Sequence, residues 1–103
     1  MFAMHHNNLV GPIPTLPWEQ LKAMDLSNNA LTGTIPESLS TVSGLKLLVL
    51  KGNRFVDGNF GFINPSIQTK LSTLDISSNG LTGSIPEKIF QLPALRILSA
   101  GSN

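Results

Sequence analysis

The sequence predicts an α/β repeat architecture in which each coil contributes a short strand and a short helical turn. Residues 21–45 and 71–95 align position for position without a gap. One asparagine marks each unit, at spacings of 22, 24, 26 and 24 residues: Asn7, Asn29, Asn53, Asn79 and Asn103. Self-similarity at a fixed period of 20 to 50 residues is the signature of a solenoid, a propeller or an array.

The first half of each unit predicts a strand followed by a turn. In residues 24–26 and 74–76 apolar side chains alternate with a polar one, which is the period of a half-buried strand, whereas residues 48–50 are apolar throughout. Each asparagine follows its strand, at the point where the chain must turn away from the sheet. A buried amide there can donate to and accept from backbone groups that the turn leaves unpaired. We therefore predict that the asparagine column is structural.

The second half of each unit predicts a helical turn that packs back onto the core. Gly33 and Gly83 permit a positive φ or a close approach of the backbone. Pro36 and Pro86 end the extended stretch and allow a helical turn to start. Apolar residues then recur three positions apart and point to one side. These pairs are Leu39 with Val42 and Ile89 with Leu92.

The unit L-x-x-L-x-L-x-x-N-x-L-x-G-x-I-P resembles the plant-type leucine-rich repeat of receptor-like kinases, receptor-like proteins and polygalacturonase-inhibitor proteins. The resemblance covers essentially all 103 residues. It implies a right-handed leucine-rich-repeat solenoid with a parallel β-sheet on the concave face and short helical or 3-10 turns on the convex face. It also implies a longer extracellular or cell-surface protein that recognises a protein, peptide or oligosaccharide ligand.

The chain reads as a single array, residues 1–103, divided into coils 1–20 (partial), 21–44, 45–70 (irregular), 71–94 and 95–103 (partial). A solenoid without capping repeats leaves apolar edges open, so we expect flanking coils in a longer parent chain. In the first coil, which is two residues short, Leu16 and Trp18 are expected to fill the convex-side core positions.

The irregular coil departs from the pattern after Phe55 and is two residues longer than its neighbours. Gly58 and Phe60 are expected to act as a displaced G-x-I pair, with Phe62 and Ile63 packing inward. Insertions of this kind are sometimes binding loops and more often tolerated drift, and the sequence leaves both readings open.

Composition excludes several classes of function. Charged residues make up 13% of the chain and the net charge is +1, so no electrostatic footprint for nucleic acid or an anionic membrane is predicted. No apolar run approaches the roughly 18 residues that a membrane span needs. The N-terminus lacks the features of a signal peptide. Without cysteine there is neither a disulfide framework nor a thiolate metal site.

Catalytic and metal-binding constellations are also missing from the sequence. His5 and His6 are adjacent, and neighbours on a strand point to opposite faces, so they are not expected to hold one metal ion. Asp25 and Asp75 lie two coils apart, roughly 9–10 Å if the strands stack regularly. That separation suits an inverting glycosidase, but no apolar niche is available to raise either pKa. We predict no enzyme, no cofactor and no metal.

The outward side chains of the predicted sheet are the candidate ligand-binding residues, because the scaffold positions fix shape and the outward ones are free to vary. They are Asp25, Ser27, Leu47, Val49, Lys51, Thr73, Asp75 and Ser77. We expect a ligand over Leu47, Val49 and Lys51, with the Lys51 ammonium reaching either neighbouring carboxylate diagonally. Such a ligand would carry an apolar group flanked by a cation.

A structural or surface-binding role, such as ice binding, is the alternative. It needs a regular row of hydroxyl or amide side chains, and the positions flanking the motif glycine offer Thr32, Thr34, Thr82 and Ser84. Val56 interrupts that row in the intervening coil, so the sequence favours recognition.

Overall fold

A computed structural model describes residues 2–13, 19–56, 60–81 and 85–101. Its main sheet is parallel and five-stranded, in the order β1-β3-β5-β6-β7. These strands are Phe2–Ala3 (β1), Ala23–Asp25 (β3), Leu47–Val49 (β5), Thr73–Asp75 (β6) and Ile97–Ser99 (β7). Because sheet order follows chain order, each coil adds one strand beside the last, and the predicted parallel-strand solenoid is confirmed.

The strands begin one residue earlier than the sequence pattern predicted. Leu48 pairs with Met24 on one side and Leu74 on the other, and all three are fully buried. Pairing starts before this buried column, because the amide of Leu47 already donates to the carbonyl of Lys22. Apolar alternation locates the buried column of a strand but not the residue at which its hydrogen bonds start.

A second, two-stranded parallel sheet was not predicted. It pairs β2 (Val10–Gly11) with β4 (Ala30–Leu31). Backbone bonds continue it into the later coils, from Arg54 N to Leu31 O, from Val56 N to Gly33 O and from Gly80 N to Phe55 O. After each asparagine turn the chain stays extended, so its backbone groups need partners and find them in the next coil.

Helical turns occupy the side opposite the main sheet, as predicted from the two prolines. A 3-10 helix spans Glu37–Thr41 after Pro36, and α1 spans Glu87–Phe90 after Pro86. Leu39 in the first and Ile89 in the second are fully buried. The apolar pairs spaced three apart therefore close the core from this side.

The irregular coil is anchored by three buried apolar side chains, Phe60, Phe62 and Ile63, as the sequence predicted. Phe60 and Phe62 lie with their ring centroids 5.6 Å apart. Gly58 lies outside the described residues, as do Leu16 and Trp18 of the shortened first coil and Gly83 of the fourth.

Gln68 is a buried polar residue that sequence reasoning missed. It stands three residues before Leu71, where Val42 and Leu92 stand in the regular coils, and it is fully buried. Its Nε2 donates to the carbonyls of Leu39 and Phe62, both at 2.9 Å. Its Oε1 accepts from the amide of Asn64 at 2.8 Å. One side chain thus ties the irregular loop to the helical turn of the preceding coil.

The asparagine column forms a ladder of side-chain bonds between coils. Asn53 donates to Leu50 O at 3.1 Å in its own turn and to Leu26 O at 2.9 Å in the preceding coil. Its Oδ1 accepts from Leu31 N, also in the preceding coil, at 3.2 Å. Asn29 and Asn79 repeat this arrangement one coil earlier and one coil later.

Exposure differs along the ladder more than the sequence suggested. Asn53 is buried, whereas Asn29 and Asn79 were expected to be buried and are half-buried, because the rim of the turn faces solvent. Asn7 is exposed and donates within its own turn, to Met4 O and His5 O. Asn103 lies outside the described residues.

The residue before each of the four described ladder asparagines adopts a left-handed backbone conformation. The φ angles are 54° at His6, 57° at Asn28, 72° at Gly52 and 56° at Ser78. This region crowds the Cβ of L-residues and suits glycine and asparagine. The turn therefore also restricts which amino acids can stand directly before a ladder asparagine.

We expect Ser78→Val to lower the free energy of unfolding by about 1 to 2 kcal/mol, because a branched Cβ crowds the left-handed backbone more than serine does. Ser78→Asn is the matched control and should leave stability nearly unchanged, since Asn28 occupies the equivalent position. The measurement is the urea midpoint of the array with its native flanking sequence. Equal midpoints for the two variants would contradict this interpretation.

Candidate ligand-binding face

The exposed face of the main sheet brings outward side chains from successive coils into rows. One row runs Ala23, Leu47, Thr73 and Ile97. The next runs Asp25, Val49, Asp75 and Ser99. Between them lies the buried column that contains Leu48, so the rows project away from the core. The five candidates that lie on the strands therefore share one surface: Asp25, Leu47, Val49, Thr73 and Asp75.

Apolar and charged groups alternate across this face. Leu47 and Val49 are half-buried and Ile97 is 58% exposed. Val49 lies between Asp25 and Asp75 in the strand register. Exposed apolar residues bordered by charges are a common composition for a binding centre.

The two serines of the candidate set are buried, whereas the sequence predicted that they point outward. Ser27 and Ser77 are each only 7% exposed. The hydroxyl of Ser27 donates to Asp25 Oδ1 at 2.7 Å, and that of Ser77 donates to Asp75 Oδ1 at 2.6 Å. The backbone amide of each serine donates to the same oxygen. Each Asp–Ser pair therefore closes its own turn, and one carboxylate oxygen per pair is engaged internally.

Lys51 does not make the predicted ion pair with either aspartate within the described part of the chain. Its carbonyl accepts from Asn28 N, so it lies level with the serines, two residues beyond the aspartates. That offset is roughly 7 Å along the strand. Asp25 Oδ2 instead lies 3.7 Å from Nδ1 of His5. Lys51 is exposed and available to an external group.

Asp75 is the carboxylate best placed for an external cation. Its Oδ1 is held by Ser77, while its Oδ2 has no partner among the described side chains. The equivalent of His5 on the preceding strand is Lys51, which forms no ion pair with Asp75 in the described part of the chain. Among the described residues, the face thus offers one free carboxylate oxygen, one free ammonium and the apolar pair Leu47 and Val49.

Other chemistries find little support in the described ranges. No three His, Cys, Asp or Glu side chains there converge on a metal-binding geometry. His6 is not on the strand as expected but in the turn, with its ring edge-on to that of His5 at 5.4 Å. None of the described helices has the length and apolar character needed to cross a membrane.

The row of hydroxyl side chains that an ice-binding surface would need lies only partly within the described residues. Thr32 and Thr34 are exposed, and Val56 is 53% exposed in the next coil, where it interrupts the row. Thr82 and Ser84 lie outside the described residues.

Comparison with known proteins agrees with this geometry. The family model described as Leucine Rich Repeat matches residues 20–42 and 70–92, the two coils with the full motif. These two coils are leucine-rich repeats, and the receptor relatives support a plant-type leucine-rich repeat fragment. Receptor protein kinase WSS1 of Oryza sativa subsp. japonica is 43% identical over 49 residues, which is 48% of this chain and 5% of that protein.

Solved leucine-rich repeat structures share the fold over nearly the whole chain. The ectodomain of the receptor kinase SOBIR1 from Arabidopsis thaliana is 33% identical with a TM-score of 0.82, over 94% of this chain and 52% of that one. The plant peptide hormone receptor RGFR1, solved in complex with RGF2, is 37% identical with a TM-score of 0.80, over 93% of this chain and 15% of that one. The array therefore spans about half of the first of these solved chains and much less of the second.

Proposed function

We propose that this leucine-rich repeat array is a non-catalytic recognition module of a longer plant cell-surface receptor or receptor-like protein, and that it binds an extended peptide on its sheet face. The observation that carries the proposal is the open parallel sheet, on which Leu47 and Val49 form an apolar pair beside unpaired charges, with Ile97 exposed two strands away. RGFR1, a plant peptide hormone receptor of the same fold, supports a peptide as the ligand class. The receptor ectodomains among the relatives support an extracellular location.

The free charges suggest the chemistry of the peptide. A lysine, arginine or amino terminus would pair with Asp75 Oδ2, and an adjacent apolar side chain would cover Leu47 and Val49. A carboxylate or backbone carbonyl on the other side would pair with Lys51. Exposed ion pairs of this kind contribute only about 0.2 to 1 kcal/mol each, so the apolar contact supplies most of the affinity. The charges fix the position of the peptide along the sheet face.

The test uses linear peptides selected by the full-length protein from a random phage-displayed library. Val49→Glu should weaken binding of the selected peptides at least roughly tenfold, because it places a third carboxylate between Asp25 and Asp75 and removes the central apolar contact. Folding should be preserved, since Val49 points away from the core.

The matched control is Val56→Glu, the same substitution at an exposed valine outside the sheet face. It should leave peptide binding unchanged. Equal affinity for wild type and Val49→Glu would move the peptide site elsewhere, and equal loss in both valine variants would indicate a general effect of charge.

A further inference from the structure

One ladder asparagine is followed by glycine, and no other asparagine of the chain is. Asn79 precedes Gly80, whereas Asn7, Asn29 and Asn53 precede asparagine, alanine and arginine. In such a pair the backbone nitrogen of the glycine reaches the side-chain carbonyl carbon of the asparagine easily, because the glycine has no Cβ to obstruct it. Asparagine is a thermally labile residue. The sequence therefore places its most labile asparagine between two coils of the array.

The structure holds both reacting groups of this pair in hydrogen bonds. The attacking atom, the backbone nitrogen of Gly80, donates its proton to Phe55 O at 2.8 Å. The leaving group, Nδ2 of Asn79, donates to Leu50 O at 3.0 Å and to two carbonyls of its own turn. Oδ1 of Asn79 accepts from Phe55 N at 3.2 Å. Attack therefore requires that the turn first open from the preceding coil.

Solvent reaches this turn from outside the core. Ser78 and Gly80 are exposed and Asn79 is half-buried, whereas the equivalent Asn53 is buried. Backbone bonds at an exposed turn open locally at a lower free energy than the whole array unfolds. A local opening of this turn therefore admits water and lets the two reacting atoms meet.

We propose that the Asn79-Gly80 pair is a modification site at which the array is deamidated when this turn opens. The nitrogen of Gly80 bonds to Asn79 Cγ, the bond between Cγ and Nδ2 breaks, and ammonia leaves with the proton that Gly80 gave up. Water then opens the cyclic imide at either of its carbonyl carbons. The products are aspartate and isoaspartate, and the reaction consumes water and no other reactant.

The product is unable to complete the ladder. A carboxylate at position 79 has no proton to donate to Leu50 O, and it places a negative charge where Nδ2 now lies 3.0 Å from that oxygen. Isoaspartate also lengthens the backbone of the turn. Deamidation therefore weakens the contact between coils 45–70 and 71–94, across which Val49 pairs with Asp75. The proposal is independent of the proposed function, because it is tested by mass and stability and not by peptide binding.

The first experiment follows the mass of the tryptic peptide that spans residues 71–88 of the full-length protein. This peptide begins after Lys70, ends at Lys88 and contains Asn79 as its single side-chain amide. The protein is incubated at mildly alkaline pH in native buffer or in guanidinium chloride, and replacement of NH2 by OH is measured over time. Modification should be at least roughly tenfold slower in native buffer, because the bonds of the turn must open first. Equal rates in the two solutions would overturn the proposal.

Two core substitutions distinguish opening of this turn from unfolding of the whole array. Phe55→Leu shrinks a fully buried side chain whose own backbone holds Asn79 and Gly80, and it should speed modification in native buffer roughly 2- to 10-fold. Ile35→Val is the matched control, because Ile35 is buried in coil 21–44, and its rate should stay near that of wild type. Equal acceleration in both variants would assign the reaction to global unfolding and contradict the proposal.

Gly80→Ala tests the chemistry of the site. Alanine already stands at the equivalent position, Ala30, and a Cβ at Gly80 would lie 3.2 Å from Phe55 O and 3.3 Å from Val56 Cγ1. The variant should therefore fold after a small shift of Val56. In guanidinium chloride its modification should be at least roughly tenfold slower than that of wild type, because the added Cβ obstructs the attacking nitrogen. An unchanged rate would exclude the cyclic imide.

Asn79→Asp supplies the aspartate product directly. Its urea midpoint should lie below that of wild type and no higher than that of Asn79→Ala, because both variants lack the donor and the aspartate adds a charge. Asn7→Asp is the control at an exposed ladder position and should stay near wild type. An Asn79→Asp variant as stable as wild type would show that deamidation leaves the two coils joined, which would refute the proposed consequence.

Discussion

Gln68→Leu is expected to lower the free energy of unfolding by about 3 kcal/mol or more, although leucine is the better core residue by composition. The substitution leaves the carbonyls of Leu39 and Phe62 and the amide of Asn64 without their partner. Each buried polar group that loses its hydrogen bond costs about 1 to 3 kcal/mol. Leucine fits the pattern of the other coils, where Val42 and Leu92 stand, but here the backbone around the position needs an amide.

The effect is measured as the change in free energy of urea unfolding of the array with its native flanking sequence. Thr69→Leu is the control, because the neighbouring residue is exposed and an equally apolar substitution there should stay within about 0.5 kcal/mol. A Gln68→Leu variant as stable as wild type would show that the three backbone groups find other partners.

Asn53→Ala is the second substitution with a large expected effect, about 3 kcal/mol. Asn53 is buried and bonds backbone groups of two coils, with Leu26 O and Leu31 N in the preceding one and Leu50 O in its own. Alanine satisfies none of these groups, and the site is too enclosed for water to replace all of them. We expect about 1 to 3 kcal/mol for Asn79→Ala, whose position is half-buried.

Asn7→Ala provides the internal comparison, because the same change at an exposed ladder position removes only bonds within one turn. Its cost should be below about 1 kcal/mol. Hydrogen exchange should report the reason, with faster exchange at the amide of Leu31 in the Asn53→Ala variant. If Asn7→Ala and Asn53→Ala were equally destabilising, burial would not explain the strength of the ladder.

Sequence analysis predicted the features that recur from coil to coil. The strand leucines, the ladder asparagines and the two prolines stand in columns, so each copy supported the interpretation of the others. Gln68 occurs once, and its environment depends on where the irregular loop folds back, which no periodicity encodes. The second sheet was missed because its pairing comes from backbone groups left over after the turn, and these carry no side-chain signature.

The sequence pattern predicted which strand residues form the candidate face. It did not predict the side-chain hydrogen bonds within each turn. Alternation places Ser27 and Ser77 outward, but a serine two residues after an aspartate can close a turn on that carboxylate, and the structure uses both pairs in this way. The cations that precede the strands were missed for a different reason. Lys22, Lys46, Lys70 and Arg96 look scattered in a linear sequence and come close only when coils of about 24 residues are stacked.

The asparagine ladder also has a direction. Asn29, Asn53 and Asn79 each complete the turn of the coil before them, through the carbonyls of Met4, Leu26 and Leu50. A chain emerging from the ribosome would therefore always carry one unfinished turn, which closes only when the next asparagine has been synthesised. Growth of the solenoid during translation is thus a series of equivalent steps of about one coil each, and a pause in synthesis would expose the turn most recently made.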